Sequence, residues 1–305
     1  MLPRIYLSLA IIFPLLSFAQ PLVTEKSVQV RPLFKLGENK SYLVKVESKM
    51  DDPPAVYARS EENYRVSFAV LDTTEGYTIA YEVHTLNVTN KRWTLQTVKA
   101  QIVNGLRLVY KLDRQGRMLS YGNLRRFDVQ LIDALDSITS ANSYSSLDSS
   151  VIQEFRRELY TATGLEECLQ PMLFFNSVFR STPFRSPTDY TAEEKITMFG
   201  EAIGVPGVSA TSVQKIDRDN DRARLSIQFK GNPDSAAKIV NPVFAESYKE
   251  ISNKDYKGYV PSECRNDYER QYEIELSSGW PLRMTNRTIL KYFIRTIYYT
   301  TMVAE

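Results

Sequence analysis

His84 is the one histidine in 305 residues, so a general base of the kind that works near neutral pH has a single candidate. It stands at the end of the alternating run Tyr77, Ile79, Tyr81, Val83. That setting places it on a surface or rim. A Ser-His-Asp triad would have to use it, and no Gly-x-Ser-x-Gly elbow precedes a helical pattern. Zinc sites need several His or Cys ligands at set spacings, which one His and the distant Cys168 and Cys264 do not supply. Asp217, Asp219 and Asp221 alternate as in a calcium loop, but such a loop needs Gly at its sixth position and Glu at its twelfth. Those positions hold Arg222 and Gln228, so the string reads as the polar turn of a hairpin. Glu166-Glu167 and Glu193-Glu194 are carboxylate pairs of the kind a glycosidase uses. Outside a shared cleft they are surface charge. Glycine-rich phosphate loops are absent. No metal, no cofactor and no catalytic residue is expected.

The elements that would have to position any chemistry begin with an address. Arg4, the apolar run Leu7 to Phe18 and the small-x-small Ser17-Phe18-Ala19 read as a secretory signal peptide, residues 1–19, cleaved before Gln20. The competing reading is a membrane anchor. Ile5 to Val23 carries no charge and approaches the roughly 20 residues a span needs, but Pro14, Gln20 and Pro21 interrupt it. No cysteine follows the run, which excludes a lipid-modified N-terminal cysteine. No second long apolar stretch occurs, so the mature chain is expected to lack a transmembrane segment and to work in the periplasm, the cell envelope or outside the cell. Two cysteines in an oxidising compartment can close one disulfide, Cys168 to Cys264. They can equally be two buried thiols, since Cys168 shares an apolar face with Leu165, Leu169 and Met172. Asn87-Val88-Thr89 and Asn286-Arg287-Thr288 match glycosylation acceptors.

Lys and Arg number 38 against 36 Asp and Glu, a balance that gives nucleic acid or an anionic membrane surface no concentrated cationic face to bind. Arg125-Arg126 and Arg156-Arg157 are isolated pairs on helical patterns and read as solvated faces.

Period-two alternation dominates the first half and predicts half-buried strands. Val28, Val30, Phe34 begin it. Tyr42, Val44, Val46, then Tyr64, Val66, Phe68, Val70, then Tyr77 to Val83 continue it. Another strand is expected from Trp93 to Val103, turning at Asn104-Gly105 into Leu106 to Leu112. Gln115-Gly116 turns the chain again. The period then changes. Leu124, Phe127, Leu131, Leu135 and Ile138 make a helical stripe. A second helix carries Val151, Ile152, Phe155 and Leu159. A third, Leu165 to Phe179, is apolar nearly all round and is expected to be buried against a sheet face. Thr182-Pro183 and Ser186-Pro187 form a loop. Strands return at Lys195 to Ile203, Val208 to Ile216 and Ala223 to Phe229. Asp234 to Ile251 suggests a short helix broken by Pro242. "YEIELSSGWPLRMTNRTI" reads as a hairpin turning at Ser278-Gly279, its second strand running from Leu282 towards Thr301 and apolar on both faces from Ile289.

The expected architecture is α+β, mostly β: one strongly curved antiparallel sheet, a half-barrel, with a helical insertion at about 122–180 packed in its concave face. A single domain, 20–305, results; the alternative is two β domains divided near 122–190. Four stretches, "LGENKSYLVKVES", "YKLDRQGRMLSYGNLRRF", "STPFRSPTDY" and "ELSSGWPLRM", give the chain a layout that resembles a family of uncharacterised exported β-rich proteins of Gram-negative envelopes. The resemblance implies the half-barrel of the periplasmic lipoprotein carriers. It implies no activity.

Nineteen Tyr and 14 Phe serve first as core and cross-strand pairs, and in a curved sheet they can also line an apolar cavity. The expectation is a non-enzymatic exported protein that binds a lipid or other apolar or amphiphilic ligand, or an envelope component. The alternative is an envelope scaffold with a filled core. A carboxylate-based hydrolase ranks last.

Overall fold

The computed structural model describes residues 23–24, 26–51, 59–89, 102–140, 169–180, 182–185, 188–198, 201–252, 254–255, 257, 260–291 and 295–305. The two-residue strands β1 (Val23–Thr24) and β2 (Ser27–Val28) precede a meander of β3 (Asn39–Asp51), β4 (Arg59–Asp72), β5 (Tyr77–Thr89), β6 (Arg107–Leu112) and β7 (Met118–Tyr121). Helices α1 (Leu124–Ser140) and α2 (Gln170–Asn176) follow. The chain then forms β8 (Phe184–Arg185), β9 (Thr188–Met198), β10 (Glu201–Asp217), β11 (Arg222–Gly231), helix α3 (Pro233–Ser252), β12 (Arg265–Glu275), β13 (Pro281–Lys291) and β14 (Arg295–Ala304).

Eleven strands form one antiparallel sheet in the order β7-β6-β5-β4-β3-β14-β13-β12-β11-β10-β9. The meander before α1 and the meander after α2 join where β14 pairs with β3, Ala304 opposite Tyr42 and Arg295 opposite Asp51. Strands from both sides of the helical segment therefore share one sheet rather than two. The sheet does not close: β7 and β9 are its edges among the described residues.

Curvature follows from what α2 touches. Phe175 stacks on Phe68 of β4 with ring centroids 4.0 Å apart and meets Tyr42 of β3 at 5.9 Å. Phe174, beside it, meets Tyr272 of β12 at 6.4 Å. From β4 to β12 is four strand steps, roughly 19 Å in a flat sheet at about 4.8 Å per step. A helix about 10–12 Å across reaches both only if the sheet bends around it. Leu169, Met172, Phe175 and Val178 are fully buried there. The expected apolar plug is present. It is a shorter helix than expected, because the Ser177 hydroxyl turns back onto the Phe174 carbonyl (2.6 Å) and ends it.

The turns after β4, β6, β10 and β12 all lie at one end of the sheet, here the lower end, and residues 29–36 cross that end as a strap. Leu33 N donates to Ser278 O (2.8 Å), and the Tyr77 hydroxyl donates to Pro32 O (2.6 Å). Phe34 stacks on Trp280 at 4.1 Å and meets Tyr77 and Phe179 edge-on at 5.3 and 5.8 Å. Trp280 packs beside its own turn, its backbone N donating to Ser278 Oγ (3.2 Å), and its indole N–H donates to Glu38 (3.0 Å). At the other end α3 packs on β10 and β12, placing Ala236, Ala237 and Val240 against Val205 and Cys264.

Several elements differ from the sequence expectation. Ile102 to Gly105 is a turn closing onto β5, with Gly105 N donating to Val83 O (2.7 Å) and Thr85 N donating to Asn104 Oδ1 (2.8 Å). Both sides of β6 are occupied, by β5 and β7; residues 93–101 of the strand expected at Trp93 to Val103 lie outside the described residues. The strand expected at Lys195 to Ile203 is two: the chain reverses between Met198 and Glu201, and β9 and β10 pair from Thr188↔Thr211 to Met198↔Glu201. Helix α3 runs 20 residues through Pro242. Asn232 caps it, its Oδ1 accepting from Ser235 N (2.9 Å), with Asp234 in the first turn and Lys249 in the last. Burial of its apolar face outweighs the one hydrogen bond Pro242 removes. The run Leu282 to Thr301 is a hairpin, β13 folding back into β14 with Ile289 opposite Ile297. Its two apolar faces belong to two strands. The expected helix at Val151 to Leu159 lies outside the described residues, as do residues 1–22. Among the described residues no helix is long and apolar enough to cross a membrane.

Candidate functional site

The concave face changes character from the lower to the upper end. Registers define its rows across five central strands. In the lower row Tyr272, Met284, Met302, Val44 and Tyr64 stand side by side, all buried and part of one core. In the next row up the same positions hold Arg270, Asn286, Thr300, Val46 and Glu62. Above them come Tyr268, Thr288, Tyr298, Ser48 and Ser60. The face is thus an aromatic plug below and a polar band above.

Local chemistry in the band is partly satisfied. The Tyr64 hydroxyl donates to the Glu62 carboxylate, and both residues are buried. The hydroxyls of Ser48 and Ser60 lie 2.6 Å apart, and Asn286 Nδ2 donates to Thr288 Oγ1 (3.1 Å). Burial, reinforced by the Glu62 charge, raises the pKa of the Tyr298 phenol. Two opposed residues are not satisfied. Arg270 Nε and Asn286 Oδ1 are buried without a hydrogen-bond partner, and their backbones face each other across β12 and β13. The Arg270 guanidinium lies over the Tyr268 ring at 4.3 Å, a cation–π contact that supports it but does not neutralise it.

A second guanidinium stands beside α2. Arg180 lies near the Phe184 ring, 6.0 Å from guanidinium carbon to centroid, and Phe184 meets Tyr272 at the same separation. Arg180 Nη2 donates to the Tyr190 hydroxyl (2.7 Å), while its Nη1 is buried without a partner. Between the two arginines is Tyr272, whose hydroxyl lies 2.9 Å from Ser177 Oγ. Burial raises the Tyr272 pKa, and both guanidiniums and the Ser177 hydrogen bond work against that rise.

The residues singled out from sequence lie elsewhere. His84 is exposed on β5, its Nε2 3.2 Å from the half-buried Glu82, on a surface rather than in a cleft. Asp217 and Asp221 hold turns together: Asp217 Oδ1 accepts from Asn220 N (3.2 Å) and Nδ2 (3.0 Å), and Asp221 Oδ2 accepts from Ser277 N (3.2 Å). A depression of about 310 Å³ beside that turn is lined by Lys215, Asp217, Arg222, Arg224 and Glu273. Its charges pair internally, Lys215 with Asp217 at 2.9 Å and Arg222 with Glu273 at 3.4 Å. Glu193 and Glu194 are neighbours on β9, and Glu193 is exposed. Glu166, Glu167 and Cys168 lie outside the described residues. Cys264 is a free, buried thiol in the small core under α3. Of the two acceptor motifs, Asn87 is exposed, whereas Asn286 sits within the concave band.

Sequence reading missed Arg180, Arg270 and Asn286. Arg270 had a visible signal: it interrupts the inward row Tyr268, Tyr272, Ile274 at a position whose neighbours two residues away are core. Arg180 had none, since it follows a helix and enters the hollow only through tertiary packing.

No protein-family model and no curated protein matches the chain. Among solved structures the chain is similar to one titled lipid-protein interactions in lipovitellin, with a TM-score of 0.45 and 9% identity. The match covers 89% of this chain and 25% of that one.

Proposed function

We propose that the protein is an exported, non-enzymatic binding protein whose concave face takes an amphiphilic ligand. One observation carries this reading: the same face of five adjacent strands passes from an aromatic core to a band of buried and half-buried polar groups, two of them unpartnered. A folded protein places unpartnered polar atoms where something completes them, because each otherwise loses about 1–3 kcal/mol of hydration. An apolar chain suits the aromatic side and a polar head suits the band. The signal peptide read from the sequence supports export, and His84 on an open surface supports a role without acid–base chemistry.

Native mass spectrometry of the full chain, titrated with dodecyl amphiphiles below their micelle concentrations, tests the reading. Saturable one-to-one binding that quenches or shifts the fluorescence of the buried Trp280 is expected. Absence of binding by every head group removes it. An N-terminus beginning at Gln20 after expression in a Gram-negative host checks the export half, and an uncleaved mass removes that half.

The second reading is an envelope scaffold. The plug of α2 in the lower hollow favours it, as does β9, an 11-residue strand that is an edge of the sheet among the described residues.

A further inference from the structure

We infer that Arg180 and Arg270 together receive the anionic head, a carboxylate or phosphate, of the amphiphile. The inference rests on the binding reading above and names the chemistry of the head group.

Four observations point the same way. Arg270 and Arg180 form no ion pair with any carboxylate among the described residues, although other Lys and Arg side chains there do. Each carries a buried nitrogen with no acceptor, Nε of Arg270 and Nη1 of Arg180. Each is held in place by other means: Arg270 lies over the Tyr268 ring at 4.3 Å, and Arg180 donates to the Tyr190 hydroxyl at 2.7 Å. Finally, one buried side chain links them. Phe184 lies between Arg180 and Tyr272 at 6.0 Å from each, and Arg270 is two residues from Tyr272 on the same face of β12.

A guanidinium cannot shed its proton, so burying it without an anion is unfavourable however the protein relaxes. Some cations elsewhere on the sheet are matched by acids: Arg65 by Glu305 at 2.8 Å, Lys45 by Glu61 at 3.2 Å. The concave pair meets no carboxylate among the described residues, and an anion from outside the chain would match it. The guanidinium fork favours planar or tetrahedral oxyanions over halide. Asn286 Nδ2, which has a second hydrogen beyond the one given to Thr288 Oγ1, adds a neutral donor on the same face. The rings of Phe174, Phe184 and Phe229 beside them suit a head group attached to an alkyl chain rather than a free ion.

Calorimetric titration of the full chain with four probes tests this: dodecyl phosphate, dodecanoate, dodecyl maltoside and inorganic phosphate, the alkyl probes below their micelle concentrations. Dodecyl phosphate and dodecanoate should bind about tenfold or more tighter than dodecyl maltoside, the share expected of one charge-assisted contact. Arg180→Gln and Arg270→Gln should each remove about that tenfold for the anionic chains and leave dodecyl maltoside unchanged. Each should leave the apo melting temperature equal or higher, since a half-buried charge with no carboxylate partner among the described residues is lost. If either variant fails to fold, wild-type protein answers by salt: raising sodium chloride should weaken the anionic chains and spare dodecyl maltoside. Equal binding of charged and uncharged chains, or Gln variants that bind anions as wild type does, overturns the head-group assignment and leaves the concave face as a binding surface. Inorganic phosphate binding as tightly as dodecyl phosphate overturns the amphiphile and leaves a free anion. No binding by any alkyl probe overturns both readings.

Discussion

The backbone of Gly279 passes so close to Arg31 that a Cβ at 279 would collide with the Arg31 carbonyl oxygen. Gly279 also has φ +75°, a region where a side chain is strained by about 1–2 kcal/mol. The same turn receives the hydrogen bond from Leu33 to Ser278 and the stacking of Phe34 on Trp280. A methyl group at 279 therefore strains the turn and pushes the strap off the lower end together. Gly279→Ala should lower stability by more than the backbone strain alone. Chemical denaturation measures it, and a loss under about 1 kcal/mol shows that the strap does not bear on the turn.

Phe175 is the residue around which the sheet bends. It contacts rings from β3 and β4, from the strap and from the start of β13: Tyr42, Phe68, Phe34 and Trp280, at 5.9, 4.0, 6.5 and 5.7 Å. Truncating a fully buried Phe typically destabilises by about 3–5 kcal/mol. Phe175→Ala should fall at the upper end, because its contacts are spread over β3, β4, the strap and Trp280. Val129, exposed on α1, is the control: Val129→Ala should change stability by under about 0.5 kcal/mol. Similar losses in the two variants remove α2 as the organising plug.

That plug was legible in the sequence because Leu169 to Val178 carries no polar stripe, and a helix apolar on all sides has to be covered. Alternation likewise revealed β3, β4, β5 and β11, each half-buried. Two kinds of information were not local. Period two runs straight through a tight reversal, so the end of β9 with the start of β10, and β13 with β14, each looked like one strand. Pairing order was also hidden: β14 lies beside β3 where the sheet bends around α2, a long-range pairing that no local window contains. The concave band was half-legible. Ser48, Ser60 and Asn286 are polar at inward positions of their strands, but the fact that these rows align is a matter of register.

Cys264 is buried at 1% exposure among Val205, Ala236, Ala237 and Val240. Desolvation raises its pKa, with a smaller opposing effect from Lys291. Both features keep the reactive thiolate scarce. In the native, unreduced protein an aromatic disulfide reagent should modify Cys264 only at the rate of local opening, and in denaturant at once. Mass spectrometry of the labelled peptide reads the site. Rapid native labelling shows that α3 does not seal this core; absence of a Cys264 thiol in the denatured, unreduced chain shows that it is bonded, as pairing with Cys168 would require.

Three aspartates fasten the hairpins at the lower end, and together they set the response to acid. Asp72 accepts from Thr74 N and Oγ1, at 3.0 and 2.6 Å, and these hydrogen bonds lower its pKa. Asp217 is lowered by Lys215 and Asn220. At Asp113 desolvation pushes upward, but the backbone N–H groups of Arg117 and Gln115 and the Arg117 guanidinium, 2.6 Å away, lower it on balance. A carboxyl group whose folded pKa lies below its unfolded value, about 3.9 for Asp, binds fewer protons folded than unfolded. Its stabilisation is complete above the unfolded pKa and disappears as pH falls through the folded pKa. Stability should therefore be flat from neutral pH down to about pH 5 and fall below about pH 4. Asp113→Asn keeps an acceptor oxygen for the turn and cannot titrate. It should lower stability at neutral pH yet give a shallower acid decline than wild type, and adding Asp72→Asn and Asp217→Asn should flatten the decline further. Melting temperatures from pH 2 to pH 7 decide the matter; an acid slope unchanged in the triple variant shows that these turns do not carry the acid sensitivity.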